Sequence, residues 1–202
     1  MLNSPFFITG FESSGTTLLR RIMSMHPSLD KDIIHEQRKL LEYRSAKHAE
    51  MNYFDEYSSI LSGEKVPYYT NVTYIKNYIE KFIEYWPQGS VYHITREPES
   101  CAKSSKRRFN RDYDAALQFC KSGVENMHDY LVDLSYECFE INYDELVKYP
   151  DVVIKNIYES MGEGVEVEYI EKVISTKEPW NYKGKRCCGL RYASFVGKVE
   201  HE

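Results

Sequence analysis

Long apolar runs are missing from this chain. No stretch approaches the roughly 20 consecutive apolar residues that a membrane-spanning helix needs, so no membrane span is expected. The opening residues, Met1-Leu2-Asn3-Ser4-Pro5, carry neither a positive nor an apolar segment, and no secretory leader is read there. Cysteine is sparse and odd in number: five residues, Cys101, Cys120, Cys138, Cys187 and Cys188, with no C-x-x-C spacing. That suggests neither a disulfide framework nor a cysteine-based zinc site, and fits reduced thiols in the cytoplasm. The six histidines are dispersed and form no metal-ligand pattern. Excess positive charge is absent too. Lys and Arg number 26 against 31 Asp and Glu, and a net charge of −5 argues against a nucleic-acid partner.

What is present fits a globular protein. The 202 residues suit one domain, and 42% apolar with 28% charged residues can build a core without metals or disulfides. Short apolar segments alternate with amphipathic ones. Phe6-Phe7-Ile8-Thr9, ending at Gly10, predicts a buried strand, and Leu18, Leu19, Ile22 and Met23 predict a helix over 16–25 that stops at His26-Pro27. Residues 28–64 are polar and irregular, with helices expected near 36–50 and 53–61. Val66 to Thr70 predicts a second strand, and Ile75, Tyr78, Ile79, Phe82, Ile83 and Trp86 a helix. Then follow a strand at 91–95, helices at 98–109 and around 116–131, a strand at 138–142 and a helix around 153–161. The end, from Glu178, is rich in Lys, Arg and Gly and reads as a loop or tail. Strands joined by helical crossovers imply an α/β, three-layer sandwich with a mainly parallel sheet. Ligands in such sheets bind beyond the carboxyl ends of the strands.

The first such end is Gly10-Phe11-Glu12-Ser13-Ser14-Gly15-Thr16-Thr17, close to the phosphate-loop pattern G-x-x-x-x-G-K-[ST]. Backbone N–H groups and a helix N-terminus there can hold an anion. The lysine position is Thr16, however, which removes the group that would reach the terminal phosphates of ATP. Alone, the motif reads equally as a plain strand-to-helix turn with a Thr cap. A second anion site follows the strand at 91–95: Arg96, then Ser104, then Arg108 one helical turn further on. Lys103, Lys106, Arg107 and Arg111 around them read as a solvated basic face.

Taken together, these segments resemble the sulfotransferases that use 3′-phosphoadenosine 5′-phosphosulfate (PAPS). The resemblance rests on Ser14-Gly15-Thr16-Thr17-Leu18-Leu19-Arg20 with His26-Pro27, on Lys65-Val66-Pro67, on Arg96-Glu97-Pro98 with Ser104, and on Asn142-Tyr143-Asp144-Glu145-Leu146 with Pro150. Its closest flavour is the branch containing bacterial and protein-tyrosine sulfotransferases. It implies a single domain over 1–202 with a phosphate-loop-like fold, and 28–64 as a helical acceptor-side insertion. It implies transfer of the sulfuryl group from PAPS to a hydroxyl or amine, with no metal required. The acceptor would be a small molecule or glycan.

By the same resemblance, Ser13, Ser14, Gly15, Thr16 and Thr17 would line the 5′-phosphosulfate. Arg96 and Ser104 would hold the 3′-phosphate, with Arg108 and Tyr143 as helpers and Lys183 on a covering tail segment. Lys65 would meet the reacting sulfate. The general base is assigned to Glu36, with His35 second. One departure stands out. Many members carry Lys or Arg where this chain has Ser13, so the loop lacks a cation that would stabilise the charge developing in transfer. That leaves a non-catalytic or degenerate PAPS-binding protein as the alternative, and a phosphate-loop nucleotide kinase behind it. The motifs consume most of a short chain. An open cleft, a small or loosely held acceptor, or a second copy in a homo-oligomer are the ways left to complete the acceptor pocket.

Overall fold

A computed structural model describes residues 5–29, 34–35, 63–70, 72–162 and 164–175. Its centre is a five-stranded sheet, in which β1 (Phe6–Gly10), β2 (Ile34–His35), β3 (Gly63–Lys65), β4 (Ser90–Thr95) and β5 (Cys138–Asn142) lie in the order β2-β3-β1-β4-β5. Every pairing is parallel. β1 is buried along its whole length because it lies between β3 and β4.

The side-chain alternation of a strand assigns its residues to two cores. Phe6 and Ile8 of β1, with Tyr92 and Ile94 of β4, pack with Leu18, Leu19, Ile22 and Met23 of α1 (Thr16–Ser24). The same core takes in α5 (Tyr143–Lys148), α6 (Pro150–Ser160) and α7 (Val167–Ser175). Phe7 and Val91 point to the other face. They meet α2 (Val72–Tyr85) through Ile75, Ile79 and Phe82, α3 (Pro98–Phe109) through Cys101, and α4 (Tyr113–Asp133) through Cys120, Met127 and Leu131. This is the three-layer α/β sandwich expected from the alternation of strands and helices.

Besides the short β2, which was not expected within 28–64, two expectations change. The strand expected over Val66–Thr70 lies earlier, at Gly63–Lys65. Pairing to β1 continues past it, with Val66 N–H on Ile8 O at 2.9 Å and Tyr68 N–H on Gly10 O at 3.0 Å. Pro67 between them has no N–H, so the regular ladder stops although the chain stays extended. The second change is two helices that the periodicity did not announce, α5 and α7. α5 is too short for an amphipathic period. It forms because Asn142 Oδ1 accepts the N–H groups of Asp144 (2.8 Å) and Glu145 (3.1 Å), and Pro150 then starts α6. The helices expected near 36–50 and 53–61, and the tail from Glu178, lie outside the described residues. Among those described, no helix is long and apolar enough to cross a membrane.

Candidate functional site

The carboxyl ends of β1, β3 and β4 converge on the turn between β1 and α1. Glu12 N–H donates to Tyr68 O (2.7 Å) and Ser14 N–H to Phe11 O (2.9 Å), which folds the turn tightly against the segment after β3. Two residues take left-handed backbone angles, Ser13 with φ 77° and Gly15 with φ 111°. Such a turn directs successive N–H groups to one side as an anion nest. α1 then begins at Thr16, and its cap, Gly15, offers no side-chain hydrogen bond, so the first N–H groups of the helix stay open to a ligand. Gly15 is required twice over. Its φ is disfavoured for other residues, and a Cβ there would run into the Tyr143 ring.

Around this turn the structure gathers the residues singled out from sequence. Arg96, just past β4, reaches Ser13 O with Nη1 at 3.4 Å and lies over the Tyr143 ring, with Cζ 4.2 Å from its centre. Arg108 comes from the last turn of α3, its Nη1 3.4 Å from Ser13 Oγ. Ser104 is buried one turn earlier on the same helix. Lys65, at the end of β3, is only 1% exposed, and its Nζ is 3.4 Å from Thr17 Oγ1. Tyr143 is held protonated because burial pushes its phenol up, an effect that nearby Arg96 opposes. Three buried polar atoms here have no hydrogen-bond partner: Ser14 Oγ, Arg96 Nε and Arg108 Nε.

His35 lies on β2, in register beside Lys65 on β3. Glu36 and Lys183 are outside the described residues. Among the basic residues read as a solvated face, Lys103, Lys106 and Arg107 are exposed, but Arg111 is not merely solvated. It lies 3.6 Å from Glu12 and 4.5 Å over the Tyr69 ring. Glu12 also accepts from Ser105 Oγ at 2.8 Å. These partners of Glu12 were not foreseen, since they lie far along the chain and only the seating of α3 beside the turn unites them.

A second unforeseen feature backs the turn. Tyr68 OH and His93 Nε2 are 3.0 Å apart in the core. Burial pushes the Tyr68 phenol well up, so it stays protonated, and the tautomer of His93 sets which of the two groups donates. Nδ1 of His93 faces Glu140 Oε2 at 3.5 Å, and that oxygen is 2.9 Å from His128 Nδ1. The two imidazoles hold the Glu140 carboxyl down at about 2. No local sequence signal marks this chain of contacts, because it crosses β4, β5 and α4.

Comparison with known proteins agrees with the geometry. No protein-family model and no curated protein sequence matches the chain. Solved structures do. The sulfotransferase domain from the curacin biosynthetic pathway is similar at TM-score 0.63 and 18% identity, over 95% of this chain and 82% of that one. The sulfotransferase domain of the Synechococcus PCC 7002 olefin synthase is similar at TM-score 0.61 and 19% identity, over 86% and 78%. Mouse sulfotransferase SULT7A1, solved in complex with PAP, is similar at TM-score 0.59 and 14% identity, over 85% and 62%. At these identities the likeness is one of fold: the chain has the α/β, phosphate-loop-like fold of the sulfotransferases.

Proposed function

We propose that this protein is a sulfotransferase that moves the sulfuryl group of PAPS to a hydroxyl or amine on a small-molecule or glycan acceptor. The observation that carries the reading is the set of buried, unpartnered polar atoms around the turn: Ser14 Oγ, Arg96 Nε and Arg108 Nε. A buried polar group left unpaired costs about 1–3 kcal/mol, so three at one place mark groups kept for a ligand. Guanidinium groups beside an open helix N-terminus call for a ligand with more than one anionic group. A nucleotide bearing a 3′-phosphate and a 5′-phosphosulfate answers that description, and a neighbour of the same fold is solved with PAP.

In this reading Ser14, Gly15, Thr16 and Thr17 hold the 5′ group, and Arg96 and Ser104 hold the 3′-phosphate with Tyr143 beneath Arg96. Lys65 stands at the Thr17 end of the turn, where its ammonium would neutralise charge on the group in transit. Positioning and charge neutralisation then do most of the work, as in phosphoryl transfer. A general base takes the acceptor proton; Glu36 is assigned that part, with His35, beside Lys65 in the sheet register, as second choice. Lys183 would lie over the bound nucleotide. No metal is needed for this chemistry, and a second copy of the chain would serve to complete the acceptor pocket.

Ser13, standing where many sulfotransferases carry a cation, favours a second reading: a protein that binds PAPS without turning it over. Thermal unfolding tests both. A ligand at a hundred times its Kd stabilises by about 2.7 kcal/mol, so adenosine 3′,5′-bisphosphate should raise Tm by several degrees without magnesium, and ATP with magnesium should do little. Stabilisation by ATP with magnesium alone would defeat the proposal. Stabilisation by the bisphosphate with no acceptor labelled from radioactive PAPS would favour the second reading.

A further inference from the structure

We infer that Arg108 supplies the cation that the turn itself lacks, and that it acts on the sulfuryl group rather than on the 3′-phosphate. The inference rests on the sulfotransferase reading. From Gly10 to Thr17 the only charged side chain is the carboxylate of Glu12, the wrong sign for an anion site. Helix α3 and the residues after it correct this in two ways. Ser105 Oγ and Arg111 engage the Glu12 carboxylate, at 2.8 and 3.6 Å, and so offset its charge. Arg108, from the last turn of the same helix, then brings its own guanidinium to the next residue, with Nη1 3.4 Å from Ser13 Oγ.

The geometry separates the two arginines. Arg96 meets the main chain of residue 13 and is braced by the Tyr143 ring on the α5 side. Arg108 meets the side chain of residue 13. Its head group therefore stands along the direction in which a longer, cationic side chain at position 13 would project. Its Nε is buried with no partner, and its guanidinium rests on the exposed Phe109 ring, 4.9 Å from the centre. A planar fork of this kind suits two oxygens of one sulfuryl group.

In the transfer step, a bond forms from the acceptor oxygen or nitrogen to sulfur. The bond from sulfur to the bridging oxygen of the 5′-phosphate breaks, and its electron pair stays on that oxygen. The acceptor proton passes to the general base. Negative charge spreads over the outer oxygens of the sulfuryl group in transit, and Arg108 is the cation that meets them. Lys65 reaches the turn from β3 at Thr17, and Arg108 reaches it from α3 at Ser13.

Isothermal titration with intact PAPS and with adenosine 3′,5′-bisphosphate, in the absence of acceptor, tests this by binding alone. The two ligands differ by the sulfuryl group. Arg108→Ala is expected to weaken PAPS about tenfold or more and the bisphosphate by no more than about twofold. Adding Ser13→Lys to Arg108→Ala is expected to recover most of the PAPS affinity. Equal losses for both ligands would place Arg108 on a phosphate that they share and overturn the inference, as would no loss for either. A double variant that binds the bisphosphate like the wild type but regains no PAPS affinity would count against it as well. If the wild-type protein binds neither ligand, the sulfotransferase reading itself fails, which is a different result from any of these.

Discussion

The guanidinium of Arg96 lies 4.2 Å above the ring of Tyr143 while its Nη1 reaches the carbonyl of Ser13 at 3.4 Å. One side chain thus ties the end of β4 to the turn after β1 and to the first residue of α5. The same Tyr143 ring blocks any side chain at Gly15. Tyr143 is therefore both the floor for Arg96 and the wall that shapes the turn.

Arg96→Ala removes a charged donor from this arrangement. Hydrogen bonds to charged groups contribute about 1.5–3 kcal/mol, so bisphosphate affinity should fall about tenfold to a hundredfold in calorimetry. Arg96→Lys should recover little of it, because an ammonium neither stacks on Tyr143 nor forks. Wild-type affinity in Arg96→Ala would remove the centre of the site.

Gly15→Ala meets both a left-handed backbone and the Tyr143 ring. Strain at such a position costs about 1–3 kcal/mol. Chemical denaturation should show a loss of at least that size, and bisphosphate binding should be abolished. Pairing it with Tyr143→Ala should return part of the stability loss, since the ring is one of the two obstacles.

Lys65→Ala should separate turnover from binding. Loss of a preorganised charge at the reacting group costs about a hundredfold in rate. Bisphosphate, which lacks the transferred group, should bind within about threefold of the wild type. A loss of binding as large as the loss of rate would mean that Lys65 serves the nucleotide and not the transfer.

The Glu140–His128 contact predicts a pH window. The carboxyl of Glu140 is lowered from 4.5 to about 2, first by His93 and then by His128, so its contribution to stability is complete above 4.5 and is lost as pH falls toward 2. His128 is raised above 6.5 by the same carboxylate, so its contribution is complete below 6.5 and is lost as pH rises through its folded value. The pair should therefore help most between about pH 4.5 and 6.5. The Tm difference between wild type and His128→Ala should be largest in that window and shrink on both sides. Because both groups are solvent-accessible, the difference should be small and should diminish in salt.

Local pattern was enough for much of this protein. The unbroken apolar run Phe6-Phe7-Ile8 encodes a strand buried on both faces, and Leu18, Leu19, Ile22 and Met23 encode the helix that covers one of them. Gly15 marks the turn because only glycine accepts both its φ and its neighbour. Spacing alone puts Ser104 and Arg108 on one helix face. These are properties of short segments, and short segments carry them in full.

Other features depend on elements meeting across the fold. Whether Ser13 leaves the turn without a cation is decided by where α3 places Arg108. Whether Glu12 opposes an anion is decided by Ser105 and Arg111. The burial of His93 against Tyr68 follows from the order of strands in the sheet. A hydrogen bond has a reach of a few ångströms, and residues far apart in the chain come within it only after the sheet has set its order and the helices have packed on it. The sequence by itself determined the strands at 6–10, 90–95 and 138–142, the principal helices and the loop chemistry; the tertiary structure alone decided which charges share the site.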